Sequence, residues 1–155
     1  MIRAIEETWP REHLAVVQLE RLKKQVKKAW DLVPLYRKKM EDKGVTPEDI
    51  QSLEDIQKLP FIVKQDFRDA YPFGLLAVPR SELTRIHASS GTTGKPTVVG
   101  YTANDMKMWT ESVTRMVVCA GARPDDVVQN CFGYGMFTGA LGLHYGLENL
   151  GCSVV

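Results

Sequence analysis

The residues best able to do chemistry lie in one stretch, His87-Ala-Ser-Ser-Gly-Thr-Thr-Gly-Lys-Pro-Thr-Val-Val-Gly-Tyr-Thr102. Within it, Ser89, Ser90, Gly91, Thr92, Thr93, Gly94 and Lys95 bring together four hydroxyls, two glycines and a lysine. Glycines let the backbone turn so that successive N–H groups point into one concave nest, which suits an anion. The hydroxyls add donors, and Lys95 adds a point charge of the kind used on terminal phosphates. Such a loop is suited to hold a polyphosphate.

It is not the common phosphate loop. Walker A needs four residues between its glycines, then Gly-Lys followed by Ser or Thr, and it opens a helix. Here only Thr92-Thr93 separates Gly91 from Gly94, and Pro96 follows Lys95. Residues 83–88 and 97–101 are β-branched or apolar in character, so the loop is expected to join two strands. A flexible Ser/Gly linker has a similar composition, but linkers rarely lie between two strand patterns with Lys-Pro at the exit. A strand–loop–strand clamp reading Ser-Ser-Gly-Thr-Thr-Gly-Lys-Pro resembles the loop of the acyl-adenylate-forming ligases.

A second cluster is Phe132-Gly-Tyr-Gly-Met-Phe-Thr-Gly139, placed between a predicted strand at 126–132 and a predicted helix at 137–150. In open α/β sheets, ligands bind beyond the carboxyl ends of strands. Alternating glycines let a planar ligand approach the backbone, and Phe132, Tyr134 and Phe137 could wall an apolar slot. The start of the helix would favour the ligand's negative end. The same rings would serve equally as ordinary core, and the residues alone leave both readings open. The residues argue against a dinucleotide fingerprint, because Thr138 stands where the third glycine belongs and no acidic residue follows about 20 positions later. Gly139, Gly142 and Gly146 share one helical face, which is expected to let another backbone come close.

The elements that must position these clusters are legible in outline. Residues 11–33 carry Val16, Leu19, Leu22, Val26, Trp30 and Val33 at helical steps, opposite a basic face read as solvated. Pro34 starts a short second helix that Gly44 ends. Thr46 and Ser52 each precede an acidic residue by three places, the pattern of a capped helix start. Thr102 and Asp105 repeat it before the stripe Met106, Trp109, Val113, Met116, Val117 and Ala120. A strand, a helix and a strand beginning at Cys152 follow. The fold class is α/β: a helical N-terminal preamble, then a mixed sheet with βαβ units. The expected division is a helical subregion at 1–79 and an α/β part at 80–155. The strand opening at 152–155 suggests a truncated polypeptide.

Composition bounds the rest. The chain has 155 residues, 44% hydrophobic and 25% charged, with a net charge of +1. That balance gives no reason to expect nucleic acid or a membrane surface as partner. No apolar run approaches the ~18 residues of a membrane span, and the N-terminus lacks a signal-peptide layout, so a cytoplasmic location is expected. Cys119, Cys131 and Cys152 are scattered, as are the three histidines. They give no metal signal, and buried reduced thiols are the expectation.

Taken together, Pro60-Phe61, Tyr71-Pro-Phe-Gly74, the stretch 85–102 and Gly133-Tyr-Gly-Met-Phe-Thr-Gly139 make the chain similar to the phenylacetate–CoA ligase family. The resemblance implies the first part of the ATP- and acid-binding region in the large N-terminal domain of an adenylate-forming enzyme. It implies a small-molecule aryl acid as substrate, with ATP, Mg²⁺ and coenzyme A. A homo-oligomeric assembly is expected on a separate ground, since the strand edge at 152–155 and uncovered apolar surface would pair with other chains. Residues 89–95 then carry the phosphate grip, and Phe132, Tyr134, Phe137 and Gly139 the acid site. The family often has tyrosine at position 132, so phenylalanine alters the polarity expected there. The catalytic lysine belongs to a C-terminal domain absent from these residues, and the 155 residues alone are expected to be inactive. Two alternatives stand beside this: a relative that adenylates a deazaflavin coenzyme, and a complete non-catalytic nucleotide- or phosphate-binding module.

Overall fold

The structure, a computed structural model, describes residues 4–89 and 95–155. Backbone proximity divides the chain into two units, one ending at Pro79 and one spanning Arg80–Val155.

The first unit contains helices α1 (Arg11–Leu32), α2 (Pro34–Asp42) and α3 (Lys64–Asp69). Val33 is extended because the proline ring that follows disfavours the helical conformation, and Pro34 then opens α2. The apolar face of α1 buries Val26 with Met40, Val45 and Ile50, and Leu22, Trp30 and Leu59 pack around them. Val16, read as part of the same face, is instead exposed. The starts predicted at Thr46 and Ser52 give 3-10 turns, Pro47–Asp49 and Glu54–Lys58, and not full helices. Their carboxylates still cap. Asp55 takes the Lys58 ammonium and the N–H groups of Gln51 and Ser52, which together hold it well below the ordinary carboxylate range. The basic face of α1 is solvated, with Lys27 and Asp31 paired at 3.0 Å.

The second unit holds β1 (Leu83–Ala88), β2 (Val98–Thr102), α4 (Ala103–Cys119), β3 (Val127–Val128), α5 (Thr138–Leu150) and β4 (Ser153–Val154). β1 and β2 pair antiparallel, with Arg85 opposite Tyr101 and Ala88 opposite Val98. β3 and β4 pair parallel across α5, which makes one βαβ unit. Both pairing senses occur, then, in two separate two-stranded ladders. Thr102 caps α4 reciprocally: its hydroxyl accepts from the Asp105 N–H at 3.2 Å, and Asp105 accepts from the Thr102 N–H at 2.8 Å.

The strand read at 126–132 is shorter than expected. Ladder bonds run from the Asp126 carbonyl to the Asn130 N–H, after which the Asn130 side chain accepts from the Phe132 N–H and turns the chain away.

Packing of α4 on α5 explains two of the three aligned glycines. A Cβ at Gly142 would lie 2.7 Å from the Trp109 ring, and one at Gly146 would overlap the Val113 side chain. That closeness lets the buried Thr114 hydroxyl reach the Gly146 carbonyl at 2.9 Å while accepting from Asn149 at 2.9 Å. Gly139 is different, since its nearest neighbour would be Phe132 at 3.9 Å. Met116, read as part of the buried stripe, points outward, and Thr114 takes the inward place. The Gly146→Ala variant should therefore lose about 1–3 kcal/mol through overpacking, more than the ~1 kcal/mol that alanine gains in helix propensity. Denaturant titration measures this, and a variant as stable as the parent would contradict the close packing.

Candidate phosphate and acid site

β1 and β2 are in register up to Ala88 and Val98, so residues 89–97 form the connection between them. Its neck is closed by Ser89. The Ser89 N–H donates to the Thr97 carbonyl at 2.9 Å, and the Thr97 N–H donates to the Ser89 hydroxyl oxygen at 3.0 Å. Ser89 thus spends acceptor capacity on the hairpin. Lys95 is exposed at the far side of the connection. Ser90, Gly91, Thr92, Thr93 and Gly94 lie outside the described residues.

The loop between β3 and α5 carries the second cluster. Phe132, Tyr134 and Phe137 are 59%, 55% and 52% exposed, which is not the burial of core aromatics. Tyr134 has a second employment. Its hydroxyl accepts from the Asn130 amide at 3.1 Å and lies 2.9 Å from Nδ1 of His144, whose Nε2 faces Glu148 at 3.2 Å. Asn130 also donates to the Ala140 carbonyl at 3.0 Å, so one side chain braces both ends of the loop. Phe137 flanks α5 as its N-cap residue without a side-chain cap, leaving first-turn N–H groups for other acceptors.

The two clusters meet. A cavity of about 220 Å³ is lined by His87, Ala88, Ser89, Thr97, Val99, Phe137 and Thr138. It joins the neck of the phosphate loop to the start of α5. A direct bond spans the same gap, because the Ala88 N–H donates to the Met136 carbonyl at 2.9 Å. A neighbouring cavity of about 350 Å³, mostly apolar, lies behind Phe132 among Val117, Val128, Asn130, Leu143 and Leu147. A third, about 390 Å³, is lined by Arg85, Lys107, Glu111 and Tyr145 and contains none of the predicted site residues. Size alone does not select the site.

The structure therefore brings Ser89 and Phe137 to one cavity and Phe132 to the next. Tyr134 and Gly139 line neither of those two spaces. Sequence reasoning missed His87, Thr97 and Thr138 on the first cavity, and Met136 and Asn130 on the loop. Asn130 could have been found, since an asparagine two places before a turning residue is a recurrent local bond. Met136 contributes only its carbonyl, for which side-chain pattern offers no signal.

Among the described residues, no group of three or more His, Cys, Asp or Glu could hold a metal ion. Cys152 is buried and its thiol is pushed up by burial and by Asp126 and Asp125. Cys119 and Cys131 are exposed, contrary to the expectation of three buried thiols. No helix among the described residues is long and apolar enough to cross a membrane.

No family model matches the chain. It is 56% identical over 149 residues to a phenylacetate-coenzyme A ligase of Thermus thermophilus, covering 96% of the chain and 34% of that protein. It is 50% identical over 149 residues to a phenylacetate-coenzyme A ligase of Escherichia coli, covering 96% and 34%. Among solved structures, it is similar to a 2-hydroxyisobutyryl-CoA ligase in complex with 2-HIB-AMP and CoA. The TM-score there is 0.88 at 32% identity, over 96% of this chain and 32% of that one. A second structure of that ligase, in the postadenylation state with 2-HIB-AMP, gives 0.85 at 30% identity over 94% and 31%. The chain spans about a third of the length of the curated relatives it matches. Over nearly its whole length, then, the chain is similar in sequence to phenylacetate-coenzyme A ligases and in fold to a 2-hydroxyisobutyryl-CoA ligase.

Proposed function

We propose that this chain supplies the phosphate grip and the acid slot for ATP-dependent activation of an aryl acid resembling phenylacetate. In the first step a carboxylate oxygen attacks the α-phosphorus of ATP, brought with Mg²⁺, and pyrophosphate leaves. In the second the thiol of coenzyme A displaces AMP from the acyl-adenylate, giving the thioester. The carrying observation is that Ser89 and Thr97 share one cavity with Phe137 and Thr138. That arrangement suits a carboxylate beside a phosphate chain.

Magnitudes say what each residue must do. Two unit charges 4 Å apart repel by about 4 kcal/mol at an effective dielectric near 20. A helix N-terminus such as that of α5 offsets roughly 0.3–1 kcal/mol of this. The remainder falls to Lys95 and the donors of residues 89–94, which would hold the nucleotide in line and stabilise charge growing on the α-phosphate. Phe137, half exposed on the cavity, and Phe132, on the apolar space beside it, would take the aryl group. The 155 residues assayed alone are expected to form no acyl-adenylate.

The test is pyrophosphate release by the full-length protein across aryl and alkyl acids with MgATP. Release that depends on aryl acids, followed by thioester formation with coenzyme A, is the expected result. Release independent of any acid would overturn the reading.

A further inference from the structure

His87 is the residue that the proposed chemistry leaves unexplained. It is 2% exposed, near the inner end of β1, two positions before Ser89 at the neck of the phosphate loop. Its ring stands edge-on to Tyr101 and Trp109, with centroids 5.3 and 5.4 Å away, while those two rings stack on each other. Nδ1 lies 3.1 Å from the Met136 carbonyl, so it must carry the proton and donate. The other ring nitrogen, Nε2, is buried without a hydrogen-bond partner among the described residues.

That orphaned nitrogen is informative. An unsatisfied buried polar atom is a net cost, and a phenylalanine would fill the aromatic niche without incurring it. What histidine alone adds is the Nδ1–H bond. Its acceptor, the Met136 carbonyl, also takes the Ala88 N–H at 2.9 Å, so both of its lone pairs are committed to β1. Met136 directly precedes Phe137, and Ala88 directly precedes Ser89.

We propose that His87 is a positioning residue: through the Met136 carbonyl it ties the loop bearing Phe132 and Phe137 to the strand end that enters the phosphate loop. The role in catalysis rests on the ligase reading above; the tie itself does not. It keeps the acid slot in register with the phosphate grip. His87 lines the shared cavity, but its unpartnered nitrogen is inaccessible, so it acts through the loop and not on the substrate.

Two substitutions separate this role from simple packing. His87→Phe keeps an aromatic ring against Tyr101 and Trp109 and removes the donor. His87→Asn loses the ring but places an amide N–H where Nδ1–H was. In the full-length protein, His87→Phe should raise the KM for phenylacetate about tenfold, equivalent to about 1.4 kcal/mol, the size of one net hydrogen bond. His87→Asn should leave that KM within about threefold while lowering thermal stability, and ATP KM should hardly move in either. Without substrates, hydrogen exchange in residues 131–137 should quicken about tenfold in His87→Phe and stay close to the parent in His87→Asn. Equal exchange in parent and His87→Phe, or equal loss in both variants, overturns the tie. If the parent releases no pyrophosphate with any acid, the ligase reading fails, and the exchange measurement still decides the tie.

Discussion

Replacing Lys95 with alanine in the full-length protein is expected to weaken ATP binding by roughly ten- to a hundredfold, while AMP affinity stays near the parent's. A charge-assisted hydrogen bond is worth about 1.5–3 kcal/mol, and each 1.4 kcal/mol is a factor of ten. A point charge at the exit of the loop acts on the outer phosphates, which AMP lacks, so the two nucleotides separate the effect from general damage. The double change Thr92→Val and Thr93→Val removes two neutral donors worth about 0.5–1.5 kcal/mol each. It should weaken ATP by about the same range and, unlike Lys95→Ala, leave the salt dependence of binding unchanged. Equilibrium binding of MgATP and AMP to the three proteins decides the matter. Unchanged ATP affinity in both variants would remove the loop from the mechanism.

Much of the frame around that loop is legible in the residues themselves. The β-branched and apolar character of 83–88 marks β1, and Thr102 with Asp105 marks the start of α4 because a capping box is local chemistry. Local rules travel in sequence. The shortened β3 does not, because its end is set by the Asn130 side chain taking the Phe132 N–H, a choice that strand propensity cannot anticipate. Thr114 was equally hidden: a hydroxyl enters the helix contact only because Gly146 lets its own carbonyl come within reach.

The site shows the same division. Glycine, hydroxyl and lysine types at 89–95 suggest their chemistry by composition, since few other purposes combine them. What joins that loop to the aromatic cluster is the Met136 carbonyl, met by His87 and Ala88 from a strand almost fifty positions earlier. No periodicity reports a carbonyl's partner across such a distance. Tyr134 illustrates the converse. Its type alone suggests an aryl wall, yet its hydroxyl is engaged with Asn130 and His144, which makes it a brace of the loop as well.

Phe137→Ala in the full-length protein should cut activation of aryl acids by about ten- to a hundredfold and leave ATP binding and fold stability nearly intact. The separation follows from where the ring stands. Truncating a fully buried phenylalanine costs a protein about 3–5 kcal/mol, because a cavity is left in a packed core. Phe137 is 52% exposed at the entrance to α5 and lies outside the core cluster around Val117, Leu147 and Leu150, so the fold loses only a part of that. The ring's remaining surface is what a bound aryl group would cover, and burying an aromatic side chain is worth about 1.5–3 kcal/mol. Short linear alkyl acids reach less of that surface, so their activation should fall by a smaller factor, and the aryl-to-alkyl ratio should shrink with it. The readouts are kcat/KM for phenylacetate and for a short alkyl acid, MgATP affinity, and a thermal melt of each protein. An equal fall for both acids together with a lowered melt would make the ring structural. An unchanged aryl preference would move the acid elsewhere, to the apolar space behind Phe132.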